Sequence, residues 1–461
     1  MKTLPYTSKS FIYLAANEAR KGDDPTRWNL DVEEQVKKLK LLREEYQINR
    51  KRFSDNSDRL SELRVEYVAN RKKLRTLRDK SVQSAIDSVV DTLEEKLKTK
   101  TFLWGLEYGP TINGRVTFKS KRSIAQYLTS KQAEAVIRYE ADLSPLSRNS
   151  IVRSLKDTIS KQYAHAIIRL DIKNYFDSID HKILLDMISN NGKIDSTSKY
   201  LVEQLLSEYN ALTSNAKGLP QGIGLSSQLA EMYLSGFDKV IRTQPGVLYY
   251  ARYVDDIVVV TETIQHASTI NKQITKILNK LNLKKNPSKS YKISVNSDGE
   301  YPKNKTLEYL GYRFNRPVGS KILVTSLVKR RVDRRIHRLE RAFEIWIQKN
   351  PDPLNPNTGN DGLLVNRVRY LAGNIKLHNS KSNVAVGIYY SNSALDPQSP
   401  QLVKLDKHLS NLITNNKVFM SSSLIKKLDD ISFEEGFRNR NFMRFSQPKL
   451  DRITVCWRDI L

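Results

Sequence analysis

Residues 249–260 read YYARYVDDIVVV, two β-rich runs that are separated only by Asp255 and Asp256. Runs rich in Tyr, Val and Ile around so short a polar step predict a β-hairpin with both acids at its tip. Adjacent carboxylates repel each other, and a solvated turn that points them apart into water would have the same sequence. The pair alone is therefore weak evidence for a site.

A third acid, Asp171, follows the apolar run 166–170, which predicts a short strand, and precedes a predicted helix over 173–189. A carboxylate at the end of a buried strand is costly unless a cation satisfies it. If the hairpin lies beside this strand, Asp171, Asp255 and Asp256 converge. Oxygen donors without His or Cys favour Mg²⁺ or Mn²⁺ over zinc, and two such ions about 3.5–4 Å apart support nucleotidyl transfer.

Between the two acid sites lies the loop GLPQGIGLSS, residues 218–227, followed by a predicted helix over 228–237. Three glycines and a proline fix a loop that other atoms can approach closely. Gln221 adds a side chain that both donates and accepts hydrogen bonds. The loop alone carries little information about function. Its position between an acid-ended strand and an acid-tipped hairpin is informative.

The composition excludes several classes of protein. The 461 residues are 39% apolar and 28% charged, which is typical of a folded chain of about three domains. Apolar runs such as 257–260 are far shorter than the ~18 residues of a membrane span, and residues 1–10 lack a signal-peptide core. We therefore expect a cytoplasmic protein without a membrane partner. A single cysteine, Cys456, and six scattered histidines exclude disulfide scaffolds and zinc clusters.

The net charge of +27 is compatible with nucleic acid, an acidic membrane or an acidic protein as partner. Residues 321–341 contain eight Lys and Arg against two acids, with apolar residues at helical spacing. This pattern predicts an amphipathic helix with a basic outer face. Such a face would attract phosphates, although a solvated surface helix would have the same pattern.

Composition also divides the rest of the chain. Residues 30–100 lack Gly and Pro and carry apolar residues at heptad spacing, which predicts two long helices broken near 54–57. They pack on each other or on the next domain, or they form a contact in a homo-oligomer. The Pro- and Gly-containing segment 350–362 predicts a loop, and residues 363–461 read as mainly helical.

Together these motifs resemble those of reverse transcriptases, and among them the bacterial lineages related to group II introns, retrons and phage-defence enzymes. The resemblance covers about residues 115–314, with five motifs in the family's order. They are DIKNYFDSI (171–179), LPQG (219–222), YVDD (253–256), NPSK (286–289) and EYLGY (308–312).

The resemblance implies an α+β right-hand polymerase fold with fingers, palm and thumb. It implies that Asp171 and Asp255 are the principal ligands of two Mg²⁺ or Mn²⁺ ions, with Asp256 assisting and the Ile172 carbonyl as a backbone ligand. The implied regions are a helical extension (1–100), fingers and palm (101–316), a thumb-like basic helix (317–350) and a helical C-terminal region (363–461).

The same resemblance assigns residues to the nucleotide and to the nucleic acid. Phe176 lies where the family keeps an aromatic gate under the incoming sugar, which favours dNTPs over ribonucleotides. Gln221 and Tyr253 would contact the nucleotide and the primer end, and Arg122 the triphosphate. The thumb helix would bind the duplex through its basic residues, which are Lys329, Arg330, Arg331, Arg334, Arg335 and Arg338.

The leading hypothesis is an RNA-directed DNA polymerase in antiviral defence. The helical additions on both sides of the palm resemble those of defence-associated enzymes, in which a structured noncoding RNA is partner and template. One alternative is untemplated or protein-primed DNA synthesis, with Tyr389 or Tyr390, in a β-type run, as the primer. The other is an inactive RNA-binding scaffold.

Overall fold

The computed structural model describes residues 6–21, 25–112, 114–143, 146–349, 360–376, 384–440 and 442–457. The helices are α1 (Ser8–Lys21), α2 (Leu30–Arg52), α3 (Ser57–Lys98), α4 (Ile124–Glu140), α5 (Arg148–Ile159), α6 (Tyr175–Ser178), α7 (His181–Ser189), α8 (Ser196–Thr213), α9 (Gly224–Tyr233), α10 (Ser235–Arg242), α11 (Ile264–Lys280), α12 (Lys329–Gln348), α13 (Asp361–Ala372), α14 (Pro400–Asn415), α15 (Ser422–Asp429), α16 (Phe433–Asn439) and α17 (Gln447–Thr454). The strands are β1 (Glu107–Ile112), β2 (Arg115–Lys119), β3 (His165–Asp171), β4 (Val247–Tyr253), β5 (Asp256–Thr261), β6 (Tyr291–Val295), β7 (Leu307–Tyr309), β8 (Tyr312–Asn315), β9 (Val324–Leu327), β10 (Asn374–Lys376), β11 (Ala385–Gly387) and β12 (Phe442–Met443). Short 3₁₀ helices cover Pro25–Trp28, Pro287–Lys289, Lys417–Phe419 and Val455–Trp457.

The chain divides into two compact units. The first comprises residues 1–144 and 176–235, and the second comprises residues 145–175 and 236–461. Helices and strands are mixed, which confirms the predicted α+β class.

In the first unit, α2 and α3 form a long helical hairpin. The gap between them confirms the predicted break near 54–57, and the Asn56 side chain caps α3 by accepting the Arg59 N–H at 3.0 Å. The rings of Tyr46 and Tyr67 stack with their centroids 4.2 Å apart. The two helices therefore pack on each other, as the first interpretation predicts.

The remainder of the first unit contains the β1–β2 hairpin and a helical core in which α4 packs against α8 and α9. The predicted helix over 173–189 is wrong in its extent, because α6 and α7 are separate helices. Asp180 divides them, since its side chain caps α7 by accepting the backbone N–H groups of Lys182 and Ile183. The helix predicted over 228–237 is likewise α9 followed by α10.

The second unit is built on an antiparallel four-stranded sheet in the order β4–β5–β3–β6. β3 lies inside this sheet, and its apolar residues 166–168 are almost fully buried because strands flank it on both sides. Helix α11 packs on β3 and β5, and α5 packs on β4. Ile167, Val258 and Ile293 contribute to a core that continues into the C-terminal helices.

A second sheet, β7–β8–β9, leads directly into α12. The predicted amphipathic helix over 321–341 is therefore shorter at its start, because residues 324–327 pair with β8 as β9 and the helix begins at Lys329. α12 buries Val332, Leu339 and Phe343, and it packs against α13 and α14.

The C-terminal region is mainly helical, as predicted, with a small sheet in which β10 pairs with β11 and β12. Of the predicted loop at 350–362, residues 350–359 lie outside the described residues, and α13 begins at Asp361 after the capping residue Asn360. Within the described ranges, no helix combines the length and the apolar character that crossing a bilayer requires.

Candidate active site

The acid-tipped hairpin is present and lies next to the acid-ended strand. β4 and β5 pair from Tyr253 and Asp256 outward, with Val254 and Asp255 in the turn. β5 also pairs with β3, and this register sets Asp171 directly opposite Asp256. In addition, the Ile172 N–H donates to the Asp255 carbonyl oxygen at 3.2 Å, which ties the end of β3 to the turn.

The turn holds a strained residue. Val254 has φ +60°, a left-handed conformation that costs a β-branched residue about 1–2 kcal/mol. The Arg252 guanidinium donates to the Val254 carbonyl at 3.0 Å and makes two bonds to Asp238 at 2.8 and 2.6 Å. The Arg252 side chain is almost fully buried, so its ion pair with Asp238 restrains the guanidinium that bonds to the turn.

Cationic and amide groups hold the two opposed carboxylates. Asp256 Oδ1 lies 2.6 Å from Nη2 of Arg169, which is two residues before Asp171 on β3. Asp171 Oδ2 accepts a bond from Asn286 Nδ2 at 2.9 Å, and its Oδ1 lies 3.3 Å from Lys289 Nζ. The segment 286–289 thus supplies the partners of the first acid.

Burial raises the pKa of Asp256 to about 6. The Arg169 guanidinium opposes this rise, whereas the charges of Asp255 and Asp171 add to it, and Lys289 lowers the pKa again. The three carboxylates therefore share one electrostatic environment, and Asp256 changes its charge in the range just below neutral pH.

The part of the chain that the structure describes contains no group of three or more Asp, Glu, His or Cys side chains placed together to hold a metal ion. The acids are thus close but not arranged as ready ligands, because Asp256 pairs with Arg169 and Asp171 pairs with Asn286 and Lys289. Their chemistry fits a divalent cation, since carboxylate oxygens are the donors that Mg²⁺ and Mn²⁺ prefer. A cation would also neutralise the negative charge that raises the pKa of Asp256.

The residues predicted to bind the nucleotide are divided between the units. Tyr253 ends β4 in the second unit and is 41% exposed, which leaves its ring accessible. Phe176, Gln221 and Arg122 belong to the first unit. There, Phe176 lies in α6 and is half-buried, and its carbonyl accepts the Leu219 N–H at 3.0 Å.

The loop at 218–223 is fixed within the first unit. Gln221 Nε2 donates to Asp177 Oδ1 at 3.1 Å, and its carbonyl accepts the Phe118 N–H at 2.6 Å. Gly222 has φ +106°, and a Cβ there would lie 2.5 Å from the Phe118 carbonyl oxygen, so only glycine fits. Arg122 packs over the Trp28 ring at 5.3 Å beside a cavity of about 390 Å³.

The basic residues of α12 do not all lie on an outer face. Lys329 and Arg330 are exposed, as predicted, but the other four are half-buried and line a cavity of about 240 Å³. Those four are Arg331, Arg334, Arg335 and Arg338. The prediction of one continuous outer face was wrong, because this side of α12 faces α13, β10 and β11.

The two tyrosines considered as primers lie in a turn after β11 rather than in a strand. The Tyr390 ring stacks on Phe442 at 4.8 Å. The Tyr389 ring meets Phe437 edge-on, with the Arg440 guanidinium 4.3 Å from its centroid. These contacts give both rings packing roles.

Several residues at the site were missed in the sequence. Arg169 interrupts an otherwise apolar strand, and a lone charge in a buried run was a signal that could have found it. The Tyr309 hydroxyl lies 3.2 Å from the Asp256 carbonyl oxygen, so β7 supports the hairpin. Asp238 and Arg252 gave no signal, because their pairing depends on how α10 packs near β4.

The site lies within a segment that is similar to known polymerases. Residues 115–314 match the family described as Reverse transcriptase (RNA-dependent DNA polymerase). This match supports a reverse transcriptase domain over these residues, and with the mixed sheets and helices it confirms the right-hand polymerase class. No curated protein matches the chain.

Among solved structures, the chain is similar to telomerase structures at low identity. The apo telomerase of Candida tropicalis truncated from its C-terminal domain is 13% identical, with a TM-score of 0.37 over 59% of this chain and 70% of that chain. The apo telomerase of Candida tropicalis is 11% identical, with a TM-score of 0.41 over 89% and 80%. Telomerase of Candida albicans with a TWJ fragment of telomeric RNA is 13% identical, with a TM-score of 0.31 over 71% and 53%.

The raised pKa of Asp256 predicts a pH-dependent stability in the presence of a metal chelator. A carboxyl whose pKa rises on folding from 3.8 to about 6 stabilises the fold fully below the lower value, and this contribution is lost as pH rises through the upper value. Asp256→Asn imitates the neutral acid. Relative to the parent, its unfolding free energy should therefore rise by about 2 kcal/mol between pH 4.5 and pH 7.

Urea denaturation of both proteins at pH 4.5 and pH 7 measures this difference. Asp298→Asn, at an exposed turn, is the control and should follow the parent at both values. If the difference in unfolding free energy between Asp256→Asn and the parent were the same at both pH values, the raised pKa of Asp256 would be contradicted.

Proposed function

We propose that the chain is an RNA-directed DNA polymerase that adds dNTPs to a primer end with two divalent cations, Mg²⁺ or Mn²⁺. The observation that carries this proposal is the register of β3 and β5, which sets Asp171 opposite Asp256 with Asp255 in the adjoining turn. The match of residues 115–314 to reverse transcriptases supports it. An untemplated or protein-primed synthesis and an inactive scaffold are the alternatives to be tested.

In this proposal, Asp171 and Asp255 are the principal metal ligands, with Asp256 assisting and the Ile172 carbonyl as a further donor. When bound, the cations would activate the primer hydroxyl and stabilise the leaving pyrophosphate. Arg169 and Lys289 keep the buried carboxylates neutralised in the protein without metal. Lys289, whose side chain is 58% exposed, can move away from Asp171 at low cost.

The proposed nucleotide contacts follow the resemblance. Phe176 is the gate that excludes a 2′-hydroxyl, Gln221 contacts the nucleotide or template, and Tyr253 lies beside the primer end. The bond from Gln221 to Asp177 holds that side chain in one orientation. Arg122 is proposed to bind the triphosphate, whose charge grows during transfer.

The proposed regions are the helical extension (1–100), fingers and palm (101–316), thumb (317–350) and C-terminal region (363–461). We propose that Lys329 and Arg330, which are exposed, contact the duplex backbone, and the net charge of +27 supports a nucleic-acid partner. We propose a structured noncoding RNA as that partner, a role in antiviral defence, and a cytoplasmic location. The α2–α3 hairpin, which exposes Leu41 and Ile48, is the proposed surface for a homo-oligomer.

The double variant Asp255→Ala with Asp256→Ala tests the proposed activity. With a primed RNA template, Mg²⁺ and dNTPs, the parent should extend the primer, and the variant should lose at least about a thousandfold in rate because the cations lose their ligands. The control is Asp429→Ala with Asp430→Ala, which also removes two adjacent acids, here at an exposed position. Equal extension by both variants would overturn the proposal.

The same assay separates the alternatives. DNA that stays covalently attached to the protein without added primer would establish protein priming. Tight RNA binding without incorporation of any dNTP by the parent would establish the scaffold.

The proposed gate predicts a change in sugar selection. Phe176→Ala should raise the kcat/KM for ribonucleotides relative to dNTPs by about 10–200-fold, because it removes a steric contact worth about 1–3 kcal/mol. Phe176→Tyr keeps the ring and should retain the parent's ratio. An unchanged ratio in Phe176→Ala would assign the ring to packing alone.

A further inference from the structure

Four arginines on one face of α12 form a recess that the proposed polymerase chemistry does not use. Arg331, Arg334, Arg335 and Arg338 follow the spacing i, i+3, i+4, i+7, which places them on one side of the helix. With Tyr370 and Ser391 and a short apolar wall, they line a cavity of about 240 Å³, here named the arginine recess.

In the part of the chain that the structure describes, no Asp or Glu side chain pairs with the arginines of this recess. Within the described residues, the ion pairs of α12 use other positions, namely Lys329 with Asp333, Arg341 with Glu344 and Glu340 with His408. None of the four recess arginines forms an ion pair there. Like charges at these spacings repel each other, so the recess carries unbalanced positive charge.

The hydrogen bonding of the recess arginines is also incomplete. Nε of Arg334 and Nε of Arg338 are buried and find no acceptor among the described residues. Arg331 donates to Asn392 Oδ1 at 3.1 Å, and Arg335 donates to the Arg331 carbonyl at 3.4 Å. Buried charged groups are normally paired and hydrogen-bonded, so these donors point to an acceptor that the described part of the chain does not provide.

The titration of these groups agrees with the geometry. Burial lowers the pKa of Arg331 and of Arg335 to about 10, and neighbouring arginines lower each value further. Burial likewise lowers the pKa of Arg338, with a contribution from Arg334. An anion in the recess would relieve both the desolvation and the repulsion.

We infer that the arginine recess binds a phosphate group that carries close to two negative charges. The volume of about 240 Å³ is below the ~300 Å³ at which pockets for organic ligands begin, and it suits a compact anion. Guanidinium groups match phosphate oxygens with paired hydrogen bonds. A phosphomonoester, at about −1.5 to −2, balances four guanidiniums better than a backbone diester with one charge does.

Two sources offer this chemistry: free inorganic phosphate or pyrophosphate, and the terminal phosphate of a nucleic-acid strand. Calorimetry with pyrophosphate on the full chain tests the first source. Fluorescence anisotropy with one oligonucleotide, carrying either a 5′-phosphate or a 5′-hydroxyl, tests the second. Neither experiment requires polymerase activity, so the inference and the proposed function can fail separately.

The test variant is Arg334→Gln with Arg338→Gln, and the matched control is Lys426→Gln with Lys427→Gln, two exposed lysines of α15. Both remove two positive charges, but only the first changes the recess. We expect the recess variant to weaken binding of pyrophosphate, or of the 5′-phosphate relative to the 5′-hydroxyl, at least tenfold. The control should stay within about twofold of the parent.

Circular dichroism verifies that both variants fold. A further variant, Arg334→Lys with Arg338→Lys, keeps the positive charge but removes the guanidinium groups that make paired hydrogen bonds to phosphate. If a glutamine variant does not fold, this lysine variant decides the question, with a smaller expected loss of at least threefold. Absence of binding by the parent, or equal loss in the recess and control variants, would overturn the inference. Binding of pyrophosphate alone, or of the 5′-phosphate alone, supports it and identifies the source.

Discussion

The central constraint in this protein is the burial of carboxylates at the end of an internal strand. β3 is flanked by β5 and β6, so Asp171 ends a strand whose apolar residues are completely covered. A carboxylate in that position must have partners, and Asn286 and Lys289 supply them from the segment before β6. The sheet that buries Asp171 therefore also requires polar partners for its carboxylate.

The β4–β5 hairpin sets Asp256 opposite Asp171, and its turn is strained. Val254 adopts a left-handed conformation, and the bond from Arg252 to its carbonyl, with the ion pair to Asp238 behind it, holds the turn closed. Tyr309 contacts the carbonyl of Asp256 from β7. Side chains from α10, β4 and β7 thus fix the backbone of the turn that carries Asp255 and Asp256.

The hairpin and the acid-ended strand could be predicted because both depend on local alternation of apolar residues. The pairing of the acids could not, because a lone charge such as Arg169 can be noticed in the sequence, but the carboxylates that Arg169 and Lys289 meet depend on the register of the sheet. The pairing of Arg252 with Asp238 likewise depends on the packing of α10. Helix boundaries failed for a related reason. The helical spacing continues through Asp180 and through residues 324–327, but the Asp180 side chain caps the start of a new helix, and residues 324–327 pair as a strand.

The arginines of α12 show where reasoning from periodicity stops. Spacing alone identifies a charged face, but whether that face meets solvent depends on α13, β10 and β11, which lie later in the chain. An exposed basic face needs no partner, because water solvates each cation. A recessed basic face needs a partner, because burial removes that water and brings four like charges together. The arrangement persists only if the remaining packing of α12 offsets this cost, and the buried Leu339, Phe343 and Trp346 on its other positions provide that packing.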